Sequence, residues 1–274
     1  MSSFAQAIRR AEIDMISRGK PMARGKWQGL DIANKPDMLT YELTHYTIKC
    51  GMVLQDLYSY QREIRPNLPW ADTAFLERVC GKPLNPGKEW RSWPWANSAD
   101  RFRIDPPNGD PTTEKVFDHT YAQRYYPRHA GMTPGGEGET NQPPHRGIYF
   151  DYGDLDDVVE ELHQDPTTRQ AILPVFMPED TGYRPGRRKP CSLSYHFMLS
   201  DHSLDIAYHL RSCDIAHHMR DDIYLTVRLL LWMLDRLCEK DPVTWNSIGP
   251  GTFAMHIANL HCFTNDFRKL KEGK

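Results

Sequence analysis

The sequence, 274 residues long, lacks an apolar run that could span a bilayer. A membrane-spanning helix needs about 20 apolar residues, whereas the longest apolar run covers only residues 229–234. The first residues also lack the basic start and apolar stretch of a signal peptide. We therefore expect a cytoplasmic protein without a membrane partner, acting in the host cytoplasm if a phage encodes it.

An excess of positive charge is absent as well. The chain carries 34 Lys and Arg residues against 36 Asp and Glu residues, a formal net charge of −2. Proteins that coat nucleic acid rely on a strongly basic surface, so we expect no direct nucleic-acid binding. Hydrophobic residues at 39% and aromatic residues at 11% instead indicate a globular chain with a substantial core.

Cysteine motifs are missing too. The six cysteines are scattered, and no two stand at the spacing of a metal-binding or redox motif. A disulfide-stapled secreted domain would be shorter and richer in cysteine. The adjacent residues His217 and His218 have no suitably spaced carboxylate partner, and neighbouring residues rarely converge on one ion. We therefore expect reduced thiols and no metal site.

Apolar residues at helical spacing recur in four segments. They predict helices over residues 1–20, 37–61, 155–162 and 221–238. The last of these is rich in apolar residues along most of its length, which is typical of a helix buried on several sides.

Other segments have the patterns of strands and loops. A short apolar run predicts a strand over 171–176, and alternation predicts a hairpin formed by 193–199 and 204–210. Proline and glycine predict an exposed loop excursion over 127–147. Because strands and helices alternate irregularly, we expect a single α+β domain over 1–274 rather than a doubly wound sheet.

One cysteine stands in a basic setting. Cys191 follows Arg187, Arg188 and Lys189 at the entrance to the predicted hairpin. Positive neighbours lower the pKa of a thiol and increase its thiolate fraction, which nucleophilic chemistry requires. Taken alone, the setting still favours a small buried side chain at a strand end over a nucleophile.

Several short motifs change that interpretation by their order. They are Asp165-Pro166-Thr167-Thr168-Arg169, Pro190-Cys191, Leu210-Arg211-Ser212-Cys213-Asp214, and Asp222 at the start of a long helix. Together with Tyr41-Glu42-Leu43, Thr120-Tyr121 and His256-Ile257, they resemble the thymidylate synthase superfamily. The intervals from Cys191 to Arg211 and from Arg211 to Asp222 match that family without insertion. The resemblance implies a central mixed sheet, a long buried helix and a homodimer formed through the sheet.

The same resemblance implies a nucleophilic role for Cys191. A thiolate adds to C6 of a pyrimidine nucleoside monophosphate, which lets C5 attack the one-carbon unit of 5,10-methylenetetrahydrofolate. Tyr121 would support proton removal at C5, and Glu42 would order a water or transfer protons. A carboxylate on a helix surface explains Glu42 equally well.

The resemblance also implies how the nucleotide is held. Arg211 and Ser212 would bind the 5′-phosphate together with Arg169 from a second subunit, and His256 would lie near the sugar. Considered singly, each arginine is explained by a surface salt bridge.

Two residues of the nucleotide site depart from the family pattern. Ala258 replaces a tyrosine that bonds the sugar hydroxyl, which leaves the choice between ribose and deoxyribose open. Gln170 replaces a second phosphate-binding arginine, and the candidates to substitute for it are Arg18, Arg24 and Arg188.

Folate-binding candidates follow from the same comparison. Asp214 resembles the family's aspartate at the pterin, although a buried carboxylate bonded to backbone amides is the alternative. Trp90, Trp93 and Trp95 lie where family members place tryptophans beside the folate ring. Trp93 is the candidate we name, and core packing explains these tryptophans equally well.

Asp222 replaces the asparagine by which thymidylate synthases read uracil. A carboxylate cannot donate to O4 of uracil, but it accepts from the amino group of cytosine and shares a proton with N3. Arg220-Asp221-Asp222 also resembles the Arg-Asn-Asp of deoxycytidylate hydroxymethylases. We therefore favour a base-reading Asp222 over a simple helix cap, with Asp221 as the cap.

Further departures favour a hydroxymethylated product. Ser192 and Leu210 replace a histidine and a glutamine of the synthases, and few residues follow His261. Synthases close a C-terminal segment over the folate, and a wetter site favours capture of the methylene group by water. We expect hydroxymethylation of dCMP first and CMP second. The alternatives are methylation of dCMP or dUMP, and a catalytically weak nucleotide-binding homologue.

Overall fold

The structure is a computed structural model that describes residues 2–27, 30–53, 55–93, 103–104, 115–127, 153–182 and 188–273. The predicted loop excursion over 127–147 lies outside these residues except for its first position, and Trp95 also lies outside them. In the described part of the chain, no helix is both long and apolar enough to cross a membrane.

A seven-stranded mixed sheet lies at the centre of the molecule. Its strands, in spatial order, are β1 (Lys20–Met22), β4 (Thr40–Gly51), β11 (Gly249–Phe263), β9 (Ser203–Leu210), β8 (Ser192–Ser200) and β7 (Ile172–Pro174), with β10 (Cys213–Asp214) also pairing with β11. β9 and β10 run parallel to β11, and the other neighbouring strands are antiparallel. Two short ribbons pair β2 (Lys26–Trp27) with β3 (Leu30–Asp31) and β5 (Arg103–Ile104) with β6 (Val116–Phe117).

Helices of very different length surround the sheet. They are α1 (Phe4–Arg18), α2 (Leu57–Ile64), α3 (Trp70–Arg78), α4 (Glu89–Ser92), α5 (Tyr121–Tyr125), α6 (Leu155–Gln164), α7 (Met219–Lys240), α8 (Pro242–Trp245) and α9 (Thr264–Glu272), with 3-10 turns at Pro36–Met38 and Pro178–Asp180. α7 packs against β9 and β11, and most of its residues are buried. The α+β class with a central mixed sheet and a long buried helix is therefore confirmed.

The two faces of the sheet differ sharply. Alternate residues of β8, β9 and β11 point into one hydrophobic core, which also includes Phe4 of α1, 5.2 Å from Phe253 between ring centroids. The residues between them form the outer face, which stays partly exposed and carries His196, His209 and His256. The rings of His209 and His256 stack with centroids 4.9 Å apart.

Most predicted elements are confirmed, and one is wrong. The first helix, the helix after Asp154, the strand near 172, the hairpin and the long helix all occur. The helix predicted over 37–61 is instead strand β4 followed by α2. β4 contains three threonines, two tyrosines and one isoleucine among its 12 residues. Such β-branched and aromatic residues pack well in a sheet between two strands.

Candidate active site

The hairpin brings the predicted nucleophile beside the predicted phosphate arginine. Cys191 precedes β8 and Arg211 follows β9, so the antiparallel pairing places both at one end of the sheet. The Arg211 N–H donates to the Cys191 carbonyl at 2.9 Å, and the Arg211 guanidinium lies 3.7 Å from Cys191 Sγ. Bonds of 2.8 and 2.9 Å to the carbonyls of Pro190 and Lys189 fix the orientation of that guanidinium.

The thiol of Cys191 is not activated in the way that its basic neighbours suggest. Burial raises its pKa above the ordinary value, although Arg211 and Arg188 oppose the rise, and the charge of Asp222 adds to it. The expectation of a lowered pKa is therefore wrong, because burial outweighs the positive neighbours. The thiolate is a minority form that the two arginines stabilise.

Arg188 lies closest to this site among the three substitutes named for the missing phosphate arginine. Its charge and that of Cys191 interact, and its pKa is lowered by burial and by the neighbouring charge of Arg211. The two guanidinium groups of Arg188 and Arg211 are close enough for their charges to interact, and such a pair is suited to bind an anion. Arg18 lies 3.7 Å from Asp14 instead.

Asp222 lies in the first turn of α7, where its N–H donates to the His218 carbonyl at 2.8 Å. The thiol of Cys213 lies 3.6 Å from its Oδ2. Burial raises the pKa of Asp222 to about 7, Arg78 opposes this rise, and Asp221 adds to it. Near neutral pH the carboxyl is therefore present in both forms, and its protonated form both donates and accepts hydrogen bonds.

The cap that we predicted for α7 is wrong. Asp221 is 3% exposed and accepts two bonds from Asn67, from its backbone N–H and from its amide, both at 2.7 Å. The residue at the cap position is His218, which makes no capping bond through its side chain. Asp221 therefore anchors the segment before α3, and Asp222 is not explained as a cap.

Tyr121 is held from two directions at the start of α5. Ser192 Oγ donates to its phenol oxygen at 3.1 Å, and the guanidinium carbon of Arg78 lies 4.1 Å from its ring centroid. Burial raises the pKa of Tyr121 to about 12, and the charges of Cys191 and Asp222 add to the rise. Tyr121 is therefore a neutral phenol in the same field as the nucleophile. We call Cys191, Arg211, Asp222 and Tyr121 the Cys191 site.

Glu42 lies in a different environment on β4, where it is 6% exposed. Arg24 donates to both of its oxygens, from Nε at 2.9 Å and from Nη2, while Thr40 and Asn259 donate at 2.7 and 2.6 Å. Burial acts to raise the pKa of Glu42, but these bonds lower it to about 2. We call these four residues the Glu42 cluster. The proton transfer predicted for Glu42 and the phosphate binding predicted for Arg24 both require that the ion pair between these two residues breaks.

Asp214 is also bonded within the protein. Its Oδ1 accepts from the N–H groups of Ala216 and His217 at 2.9 and 3.3 Å, and its Oδ2 lies 2.8 Å from Nδ1 of His217. The other ring nitrogen of His217 lies 3.3 Å from Asp266 in α9. This geometry matches the buried carboxylate that we considered as the alternative to a pterin contact.

An aromatic group with unpartnered donors lies next to the start of α7. Trp93 stacks on His218 with centroids 5.9 Å apart, and burial lowers the pKa of His218 to about 4, so its ring is neutral. Trp70 lies 6.4 Å from Trp93 between ring centroids, and its buried Nε1 atom, like that of Trp90 in α4, has no hydrogen-bond partner. Aromatic faces and donors without partners are groups by which proteins bind flat heteroaromatic ligands.

Three predicted nucleotide-binding residues contact groups away from Cys191 within one chain. Ser212 Oγ lies 3.3 Å from Nδ1 of His261. His256 lies on the outer sheet face. Arg169 is exposed, and its carbonyl lies 3.1 Å from Nε2 of His196 on that same face.

A buried arginine and a partly buried carboxyl near the site escaped the sequence analysis. Arg78 is 5% exposed and its Nε has no partner. Burial raises the pKa of Glu89 to about 7, and one of its oxygens is also without a partner. Arg78 lies on the buried side of α3, together with Ala71, Ala74 and Phe75. A charged residue among the apolar positions of a helix is the sequence signal that could have identified Arg78 as a site residue. Among the described residues, no three metal-binding side chains converge to hold an ion.

Comparison with known proteins identifies the family of the chain. A family model described as thymidylate synthase matches residues 86–273. The chain belongs to the thymidylate synthase family. The matched region contains all four residues of the Cys191 site, whereas Glu42 lies before it.

Two curated proteins are similar to parts of the chain. A "Deoxyuridylate hydroxymethyltransferase" of Bacillus phage SP01 is 26% identical over 246 residues, which are 85% of this chain and 58% of the phage protein. A "Bifunctional dihydrofolate reductase-thymidylate synthase" of Zea mays is 26% identical over 121 residues, 44% of this chain and 21% of the plant protein. The chain thus spans less than two thirds of either relative.

Proposed function

We propose that this protein transfers a one-carbon unit to C5 of a cytidine monophosphate, with dCMP preferred over CMP, and that the product is the 5-hydroxymethyl nucleotide. The observation that carries the proposal is the carboxyl of Asp222, whose pKa burial raises to about 7 in the field of Cys191. 5,10-Methylenetetrahydrofolate would supply the one-carbon unit. The aromatic group around Trp93 is our candidate for holding its pterin.

The proposed chemistry begins with the thiolate of Cys191. Its sulfur forms a bond to C6, the electron pair of the C5–C6 double bond moves toward C4 and N3, and N3 takes the proton of Asp222. Arg211 and Arg188 stabilise the thiolate and are our candidates, with Ser212, for binding the 5′-phosphate. C5 would then form a bond to the one-carbon unit of the folate. Tyr121, a neutral phenol, bonds the water that accepts the C5 proton, and loss of this proton would expel tetrahydrofolate and leave a methylene group on C5. Water would add to that methylene group, N3 would return its proton to Asp222, and the thiolate of Cys191 would leave C6.

Asp222 is the basis for preferring cytosine. Its protonated carboxyl donates to N3 and accepts from the 4-amino group, and the proton on N3 offsets the charge that builds on the ring after thiol addition. An asparagine amide has no acidic proton to give to N3. The substitution of a carboxyl for an amide at this position therefore favours cytosine over uracil.

Uridylate hydroxymethylation is the second candidate, because two observations favour it. The phage relative that aligns with 85% of this chain is named for deoxyuridylate. A protonated Asp222 also matches uracil, since it can donate to O4 and accept from N3–H. The same relative supports a hydroxymethyl product over the methyl product of a synthase.

We also propose that residues 1–274 form one catalytic domain that pairs through the outer sheet face. The exposed position of Arg169 beside His196 on that face supports its donation to the partner's site. Mixing Arg169→Ala and Cys191→Ala proteins should then restore part of the activity in the heterodimers, whereas sites formed within one chain would leave the mixture inactive.

Mass spectrometry of the products from dCMP, CMP, dUMP and UMP, each with 5,10-methylenetetrahydrofolate, tests the proposal. We expect a hydroxymethyl product from dCMP and no dihydrofolate. Release of dihydrofolate would indicate methylation, and product only from dUMP would support the second candidate. Absence of tritium release from C5-labelled nucleotides would contradict every enzymatic role, because exchange at C5 needs addition at C6.

A further inference from the structure

Ser192, the residue after Cys191, links the nucleophile strand to two tyrosines. It is completely buried, at 0% exposure. Its Oγ lies 3.1 Å from the phenol oxygen of Tyr121 and 2.5 Å from that of Tyr208. Tyr208 is itself fixed by stacking on Tyr195, with centroids 4.3 Å apart and planes within 6°.

Each of these hydroxyls has only one proton, which sets the direction of the bonds. Ser192 donates to Tyr121, so Tyr208 has to donate to Ser192. The proton of Tyr121 is then free to point away from Ser192. A buried hydroxyl chain fixed at the Tyr208 end therefore determines where the Tyr121 phenol can donate.

The ring of Tyr121 is constrained independently by Arg78, whose guanidinium carbon lies 4.1 Å from the ring centroid. Such a contact fixes the plane of the ring but not the direction of its O–H bond. Only Ser192 is within hydrogen-bond distance of the phenol oxygen among the described residues. The two contacts therefore have separate effects on Tyr121.

We propose that Ser192 is a positioning residue for C5 chemistry, because its hydroxyl orients the Tyr121 phenol beside Cys191. This inference rests on the proposed function and adds to it. The sequence identifies Ser192 only as a replacement for a histidine of the synthases, and its contact with Tyr121 is visible only in the fold. The tyrosine contact spans 71 positions of the sequence.

A double-mutant cycle tests this role. Ser192→Ala should lower kcat for tritium release from C5-labelled dCMP by about 10- to 100-fold, with KM changed by less than about threefold. In a Tyr121→Phe background the same substitution should have almost no further effect. Equal losses in both backgrounds, or no loss in either, would overturn the proposal.

Two further variants separate positioning from a general packing defect. Ser247→Ala, at an exposed position after α8, should leave kcat unchanged. Tyr208→Phe keeps the stacked ring and removes the hydroxyl that orients Ser192, so it should show a smaller loss that also disappears in the Tyr121→Phe background. A loss that persists in that background would contradict the hydroxyl chain.

A spectroscopic measurement distinguishes failure of this inference from failure of the proposed function. The 19F resonance of 3-fluorotyrosine at position 121 should shift in Ser192→Ala and not in Ser247→Ala, without any substrate present. If no nucleotide is turned over but the resonance shifts, the proposed function fails while the orienting bond stands. If turnover occurs and the resonance does not shift, the positioning role is wrong.

Discussion

The Cys191 site and the Glu42 cluster are both buried groups of polar side chains, but they differ in how far the protein itself satisfies them. Arg24, Thr40 and Asn259 donate four bonds to Glu42. By contrast, the Asp222 carboxyl has one weak thiol donor at 3.6 Å, and Arg78 nearby has a buried donor without a partner. Buried polar groups normally find partners, so the incomplete site is the one suited to bind a ligand.

The difference has an electrostatic consequence. Hydrogen bonds lower the pKa of Glu42 to about 2, whereas burial raises that of Asp222 to about 7. A carboxyl with a pKa near neutral can exchange protons during a reaction at physiological pH, and one with a pKa near 2 is a poor base there. We therefore expect substitutions in the Cys191 site to affect catalysis, and those in the Glu42 cluster to affect stability.

The largest effect is expected at the nucleophile. Cys191→Ala should lower the rate of product formation and of C5 tritium release by at least about 1000-fold, because the proposed reaction begins with addition of its sulfur at C6. Cys80→Ala, which changes an exposed cysteine, is the matched control and should retain full activity. Tritium release by the Cys191→Ala variant at the unsubstituted rate would show that the nucleophile lies elsewhere.

A smaller effect on catalysis is expected when the buried charge of Arg78 beside the site is removed. The proposed reaction needs the thiolate of Cys191 together with the protonated carboxyl of Asp222. Because the pKa of Cys191 is raised and that of Asp222 is about 7, kcat/KM should rise with pH as the thiol ionises and stop rising near pH 7, where Asp222 loses its proton. The acid limb of the pH profile therefore ends at the pKa of Asp222. Arg78 lowers the pKa of Asp222, so Arg78→Met should move the acid limb to higher pH. The ratio of kcat/KM in the variant to that in the unsubstituted protein should then be roughly five times higher at pH 8 than at pH 6.5, because a raised pKa keeps more of Asp222 in its protonated, reactive form at the higher pH.

Arg228 provides the control for that experiment. It lies 4.2 Å over the ring of Phe75 and pairs with Asp72, so it has a similar cation–ring contact without an effect on Asp222. Arg228→Met should leave the shape of the pH profile unchanged. Parallel shifts in both variants would mean that general destabilisation, not the charge of Arg78, moves the acid limb.

The smallest catalytic effect is expected in the Glu42 cluster. Glu42→Gln should reduce the free energy of unfolding by about 1–3 kcal/mol at pH 7 and the rate by less than about tenfold. Because the folded-state pKa is lowered, this stabilisation is complete above the ordinary glutamate value and is lost as the pH falls toward 2. Denaturant unfolding between pH 3 and 7 measures it. A rate loss above about 100-fold with unchanged stability would instead assign Glu42 a catalytic role.

The sequence predicted those features that depend on local pattern. The hairpin places Cys191 beside Arg211 because antiparallel strands return to the same end of a sheet, and the order of motifs identified Asp222. The β4 strand was missed because tertiary pairing with β1 and β11 overrides a helical pattern of leucine and tyrosine.

Features that depend on distant contacts escaped prediction. The bond from Ser192 to Tyr121 joins residues 71 positions apart, and the Asn67 bonds that occupy Asp221 span 154 positions. The raised pKa of Cys191 depends on burial, which the basic residues before it cannot indicate. Local spacing identifies candidate groups, but their protonation depends on what the fold packs around them.

The most direct test of the account compares base choice in the unsubstituted protein and in Asp222→Asn. The measured quantity is the ratio of kcat/KM for dCMP to that for dUMP. We predict a ratio above one for the unsubstituted protein and a fall of at least about 100-fold in the variant, because the amide keeps the uracil match and loses the proton for N3. An unchanged ratio would contradict the claim that Asp222 reads the base.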